Sequence, residues 1–73
     1  MSTAQRPANY RGQFITVYRP IAGWKAIHYW WNPDMGGFWE PWQTGFCAFA
    51  TREEAVADAK YWAEAEGLPY YES

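Results

Sequence analysis

Apolar and polar positions alternate along the first part of the chain and recur at helical spacing near its end. Gln13-Phe14-Ile15-Thr16-Val17-Tyr18-Arg19 is rich in β-branched and aromatic residues, which predicts a first strand. Pro20-Ile21-Ala22-Gly23 supplies a preset φ and a residue tolerant of positive φ, so a turn follows. Residues 24–31, Trp-Lys-Ala-Ile-His-Tyr-Trp-Trp, read as a second strand, and the breaker cluster Asn32-Pro33-Asp34-Met35-Gly36-Gly37 as the loop after it. The next stretch, Phe38-Trp39-Glu40-Pro41-Trp42, contains a proline that cannot donate to a ladder, which suits an edge, a bulge or an extended loop. The regular part of the third strand is therefore expected over residues 44–50.

The helix has the clearest signals. Thr51-Arg52-Glu53-Glu54 fits a capping box, in which the Thr51 hydroxyl accepts from the Glu54 amide and the Glu54 carboxylate reaches back. Ala55, Val56, Ala59, Trp62 and Ala63 then fall on one face. Gly67 is placed to end the helix in the left-handed region, Leu68 to make the contact just beyond it, and Pro69 to stop continuation. The elements predict an α+β fold, a three-stranded antiparallel sheet packed on one C-terminal helix (βββα). Residues 1–9 read as a flexible tail and residues 10–73 as one domain.

A hairpin closing between Arg19 and Trp24 pairs Tyr18 with Lys25, Val17 with Ala26 and Ile15 with His28. That register turns Ile15, Val17, Trp24, Ala26, His28 and Trp30 toward the helix, and Phe14, Tyr18, Lys25, Ile27, Tyr29 and Trp31 away from it. A slip of one residue would exchange the two sets on the second strand. In either register that strand is apolar on both faces, the pattern of a strand covered on both sides. One helix covers one face, so an aromatic patch is expected on the other, and such patches mark binding surfaces. The competing arrangement folds Trp39, Trp42 or residues 68–71 over that second face.

Composition changes the picture in one respect. A 73-residue chain buries about 60% of its unfolded surface and has a thin stability margin. Aromatic residues make up 22% of this one, enough large side chains to build a core from few positions. Charge is unevenly spread. Arg6, Arg11, Arg19 and Lys25 precede His28 with no acid among them, whereas Asp34, Glu40, Glu53, Glu54, Asp58, Glu64, Glu66 and Glu72 follow it, opposed by Arg52 and Lys60. The net charge of −2 ranks a protein partner ahead of nucleic acid. A single cysteine excludes an internal disulfide, and the polar start of the chain and the lack of a long apolar run point to a cytoplasmic protein without a membrane anchor.

Candidate chemistry is sparse. One histidine, His28, and one cysteine, Cys47, do not supply the roughly four ligands of a zinc site. Cys47 lies beside Phe46 and Phe49 and reads as a buried, inert thiol. Asp34 and Glu40 read as solvated loop acids, and Gly36-Gly37 as a turn without a phosphate-loop pattern. No catalytic residue, metal site or cofactor is expected. The chain reads instead as a small non-enzymatic interaction module for a protein partner or a second copy of itself. Its candidate contact residues are Phe14, Tyr18, Lys25, Tyr29, Trp31, Trp39 and Trp42.

Three passages resemble the AP2-type DNA-binding domain and the related arm domains of phage integrases. They are Tyr10-Arg11-Gly12 before the first strand, Gly23-Trp24-Lys25-Ala26 opening the second, and Ala48-Phe49-Ala50-Thr51-Arg52-Glu53-Glu54-Ala55 leading into the helix. The resemblance implies a three-stranded sheet on one helix and, as the alternative function, a nucleic-acid-binding sheet face with Arg11, Arg19 and Lys25 on phosphates. The passage from Trp30 to Gly45 is also similar to the core of a family of small cyanobacterial proteins, a likeness that implies no activity.

Overall fold

The computed structural model describes residues 5–45 and 47–72. Within it, β1 (Phe14–Tyr18), β2 (Lys25–Asn32) and β3 (Phe38–Thr44) form one antiparallel sheet in the order β1-β2-β3, and α1 (Arg52–Glu66) follows. The α+β, βββα architecture is the expected one. The first four residues of the expected tail, and Phe46, lie outside the described residues.

The β1–β2 register is the one the hairpin dictates, with Ile15 opposite His28, Val17 opposite Ala26 and Tyr18 opposite Lys25. Side-chain alternation then sends Ile15, Val17 and Ala26 into the core, where they meet Ala55, Ala59 and Ala63 of α1. The helix presents alanines at four-residue spacing, so its backbone sits close to the sheet, and Trp24, Val56, Trp62, Leu68 and Tyr70 fill the margins. Full burial of Ile15 and Val17 stabilises the fold by about 1.5–3 kcal/mol each.

Both helix ends follow the sequence signals. Thr51 is extended (φ −121°, ψ 154°), its side chain accepts from the Glu54 amide, and the Glu54 carboxylate accepts from the Thr51 amide. At the other end Gly67 is left-handed at φ 71°. Its amide donates to the Glu64 carbonyl and the Leu68 amide to the Ala63 carbonyl, a Schellman closure.

The third strand is a correction. It runs from Phe38 to Thr44 rather than over residues 44–50, and Pro41 lies inside it. Tyr29 pairs with Pro41 and His28 with Gln43, so Trp42 is an extra residue bulged out of the ladder. Being an edge strand, β3 tolerates a proline whose missing amide hydrogen need not face β2. Beyond it, among the described residues, the expected strand leaves one isolated bridge, between Trp24 and Phe49. Cys47 is a second correction: it lies in the segment between β3 and α1 and is exposed, not buried.

The far face of the sheet is not left open. The chain's last residues leave α1 and run beside β1: the Ile15 amide donates to the Pro69 carbonyl and the Tyr71 amide to the Ile15 carbonyl, each at 3.0 Å. Alternation along this segment puts Tyr70 against the core and Tyr71 against Phe14 on the far face. Gln5 bridges onward to Glu72, and Arg6 lies over the rings of Phe14 and Trp39, so the described end of the expected tail packs on the sheet. With Tyr10 and Trp39 added, Phe14, Thr16 and Ile27 are all buried. Residues 5–10 and 69–72 thus cover much of the expected vacancy and leave one concavity open between them.

The uncovered part lies elsewhere. A helix with its side chains is about 10–12 Å across and neighbouring strands are about 4.8 Å apart, so one helix covers about two strands. Here α1 packs on β1 and β2 and makes no comparable packing with β3. The helix-side flank of β3 is left to solvent.

Candidate functional site

Two concavities remain, one on each side of the sheet. The first is a groove of about 330 Å³ between β3 and α1, walled by Gln43 and Thr44 on the strand side and by Asp58, Tyr61, Trp62 and Glu66 on the helix. Gln43 is opposite His28 in the ladder and so points to the helix side of the sheet. Trp30, two residues along from His28, shares that side. The bulged Trp42 meets it edge to face, with ring centroids 6.1 Å apart.

Apart from Ile21 and Met35 in the two loops, the exposed large apolar residues among the described ones lie on this flank. Tyr61 is 78% exposed, Trp42 65% and Phe38 42%. Its charge is negative, from Asp58 and Glu66 in the groove and from Glu40, which accepts a hydrogen bond from the Asn32 side-chain Nδ2 at 3.1 Å. The cations of α1 point elsewhere: Arg52 is paired with Glu72, and Lys60 lies over the Tyr70 ring. His28 is the buried polar residue at the base of this flank. Its ring meets Trp62 edge to face, and its Nε2 shares a 2.7 Å hydrogen bond with the Gln13 side-chain oxygen. Burial pushes its pKa below the ordinary histidine value, with Glu66 pulling weakly the other way.

The second concavity, about 470 Å³, opens on the far face. Phe14, Thr16 and Tyr29 form its floor, Trp39 and Arg6 one wall, and Gln5 and Glu72 the other. Glu72 is held by Arg52 and accepts from the Tyr70 hydroxyl at 3.3 Å. Burial beside Glu72 pushes the Tyr70 hydroxyl pKa up to about 12. The hydrogen bond to Glu72 raises the pKa of Arg52. The Thr16 hydroxyl is buried and has no hydrogen-bond partner among the described residues.

The candidate contact residues therefore separate. Phe14, Tyr29 and Trp39 come together in the far-face concavity, and Phe14 is too buried to anchor a partner. Trp31 packs edge to face on Trp39 at 5.2 Å and under the Arg11 guanidinium at 4.3 Å, so it is covered by its own chain. Tyr18 and Lys25 face each other, half-buried, at the hairpin end, away from either concavity. Trp42 alone among the seven is a large exposed ring, and it lies on the helix side, not the far side.

Of the cations assigned to phosphates, Arg11 is engaged: it donates to the carbonyls of Ala8 and Tyr10 at 3.0 and 2.8 Å and covers Trp31. Arg19 is exposed at the hairpin beside half-buried Lys25. Tyr61, Trp62, Arg6, Thr16 and Glu72 were not among the expected site residues. Tyr61 had a legible signal, since it neighbours the Trp62 anchor and follows Asp58 by three positions on the helix. Among the described residues no group of three or more His, Cys, Asp or Glu side chains is placed to hold a metal ion, and no helix is long and apolar enough to cross a membrane.

No family model matches the chain, and no match is found among curated proteins or solved structures.

Proposed function

We propose that this chain is a non-enzymatic protein-interaction module that docks a positively charged, apolar-anchored protein segment on the flank between β3 and α1. The observation that carries the reading is the coincidence, on one uncovered strand, of exposed Trp42 and Phe38 with a groove that holds Asp58, Glu66 and the Tyr61 ring. Exposed aromatic rings supply anchoring area at low conformational cost, and faces of Trp and Tyr attract Lys and Arg side chains. The acids select the sign of the partner. A second copy of the chain offers the same chemistry through Arg19 and Lys25 of its hairpin, and light scattering separates that homodimer from a foreign partner.

The test is a nuclear magnetic resonance titration of the whole protein with short peptides that alternate Arg or Lys with Leu, against matched peptides carrying Glu. The basic peptides are expected to shift the Trp42 and Tyr61 signals, to weaken as salt is added, and to lose binding in Trp42→Ala and in Asp58→Asn/Glu66→Gln. Equal response to basic and acidic peptides, or no response together with a strictly monomeric protein, overturns the reading. The nucleic-acid alternative draws less support, because Arg11 is already spent on backbone carbonyls and Trp31, leaving two of the three cations assigned to phosphates, on an acidic chain.

A further inference from the structure

We propose that the far-face concavity is a binding site for a small aromatic carboxylic acid whose ring carries a hydroxyl or other polar atom. The inference is independent of the docking flank and rests on different residues.

The volume of about 470 Å³ lies within the usual range for small-molecule sites. Its lining has the composition of such a site, with three aromatic rings and a few convergent polar groups. Phe14 and Tyr29 are cross-strand partners with ring centroids 5.6 Å apart, and Trp39 stands edge-on to Phe14 at 4.9 Å. A flat ring laid against this lining gains area contact and offset or edge-to-face geometry with each.

Two polar groups are unspent. Thr16, in the middle of β1, lines the same concavity, and its buried hydroxyl has no hydrogen-bond partner among the described residues. Buried hydroxyls are nearly always satisfied, so an orphan lining a cavity marks where a ligand atom or an ordered water completes the structure. The second is Arg6. Its guanidinium rests over Trp39 at 4.8 Å and over Phe14 at 5.5 Å, and no carboxylate among the described residues is paired with it.

These groups set the ligand's chemistry. The acid in the wall, Glu72, is neutralised by Arg52 and further bonded by the Tyr70 hydroxyl, so the uncompensated charge of the site is that of Arg6. An anionic head is therefore favoured over a cationic one, and a carboxylate matches the guanidinium fork. Thr16, at the floor, would meet a polar atom on the ring. A plain apolar ring would leave that hydroxyl orphaned.

The test is a titration of the full chain followed by amide and indole resonances, using 4-hydroxyphenylacetate, phenylacetate and tyramine as probes. The hydroxylated acid is expected to shift Thr16, Tyr29 and Trp39, to bind about two- to ten-fold tighter than phenylacetate, and to outcompete tyramine. Arg6→Gln should weaken both acids by about ten-fold. Thr16→Val removes the orphan hydroxyl and keeps the β-branched shape of the side chain, so the fold should be kept while the preference for the hydroxylated acid disappears. The proposal is overturned if neither acid shifts cleft residues at about 10 mM, if tyramine binds as well as the acids, or if Thr16→Val keeps the preference.

Discussion

Trp39 and Trp42 lie three residues apart on one strand, yet the structure gives them opposite tasks, and replacing each by alanine should separate them sharply. Trp39 stands edge-on to Phe14 and Trp31, stacks on Tyr10 at 6.3 Å and carries Arg6 on its face. Three aromatic pairs at about 0.5–1.5 kcal/mol each and one cation–π contact at about 0.5–1 kcal/mol sum to roughly 2–5 kcal/mol. Truncating a fully buried Trp costs about 3–5 kcal/mol, and Trp39 is half-buried, so about 2–4 kcal/mol is the working figure. A 73-residue domain holds about 4–11 kcal/mol of stability in total, so Trp39→Ala removes a large share of it. Trp42 is 65% exposed with one ring partner, and Trp42→Ala should cost about 0.5–1.5 kcal/mol. At about 4–8 °C per kcal/mol for a domain of this size, the melting temperature should fall by roughly 8–32 °C for Trp39→Ala and by roughly 2–12 °C for Trp42→Ala. Thermal melts by circular dichroism, checked by urea midpoints at constant slope, measure both. Equal losses in the two variants, or a Trp39→Ala protein as stable as the parent, would show that the far face is not sealed by this ring.

Three further outcomes follow from the geometry. Thr51→Ala should cost about 1 kcal/mol in urea unfolding, with Thr51→Ser restoring most of it, because the hydroxyl caps α1. Gly37→Ala should cost more than Gly36→Ala: both glycines have positive φ (92° and 88°), but a β-carbon at Gly37 runs into the Trp31 ring while one at Gly36 meets open space. Urea midpoints should place Gly36→Ala near 1 kcal/mol and Gly37→Ala about 1–3 kcal/mol beyond it. Burial depresses the pKa of folded His28, so the unfolded chain takes up its proton first. Stability is then full above about pH 6.5 and falls as pH drops through and below that value, a slope that His28→Gln should flatten.

Much of the fold was legible because its signals are local. The β1–β2 register follows from a short hairpin, and α1 is bounded by a capping box and a C-terminal glycine within its own sequence. β3 was misplaced because Pro41 argued against a strand, whereas an edge strand with a bulge at Trp42 absorbs the missing donor. Cys47 followed the same error, since β3 ends at Thr44 and leaves Cys47 beyond it, exposed. Closure of the far face was the harder matter. It depends on residues 5–6 and 69–72 meeting beside β1, with Tyr70 and Tyr71 turned to opposite sides, and nothing in local spacing distinguishes that from a free tail. The unfilled coverage on β3 could have been anticipated from widths, because one helix spans two strands and the sheet has three.

Which aromatic rings meet water is read directly from the six tryptophan indole signals with a soluble paramagnetic probe. The Trp42 indole is expected to broaden first, while those of Trp39 and Trp31, stacked under Arg6 and Arg11, broaden late. Broadening of Trp39 and Trp31 as early as Trp42 would contradict the cover of these two rings by Arg6 and Arg11 and an open β3 flank.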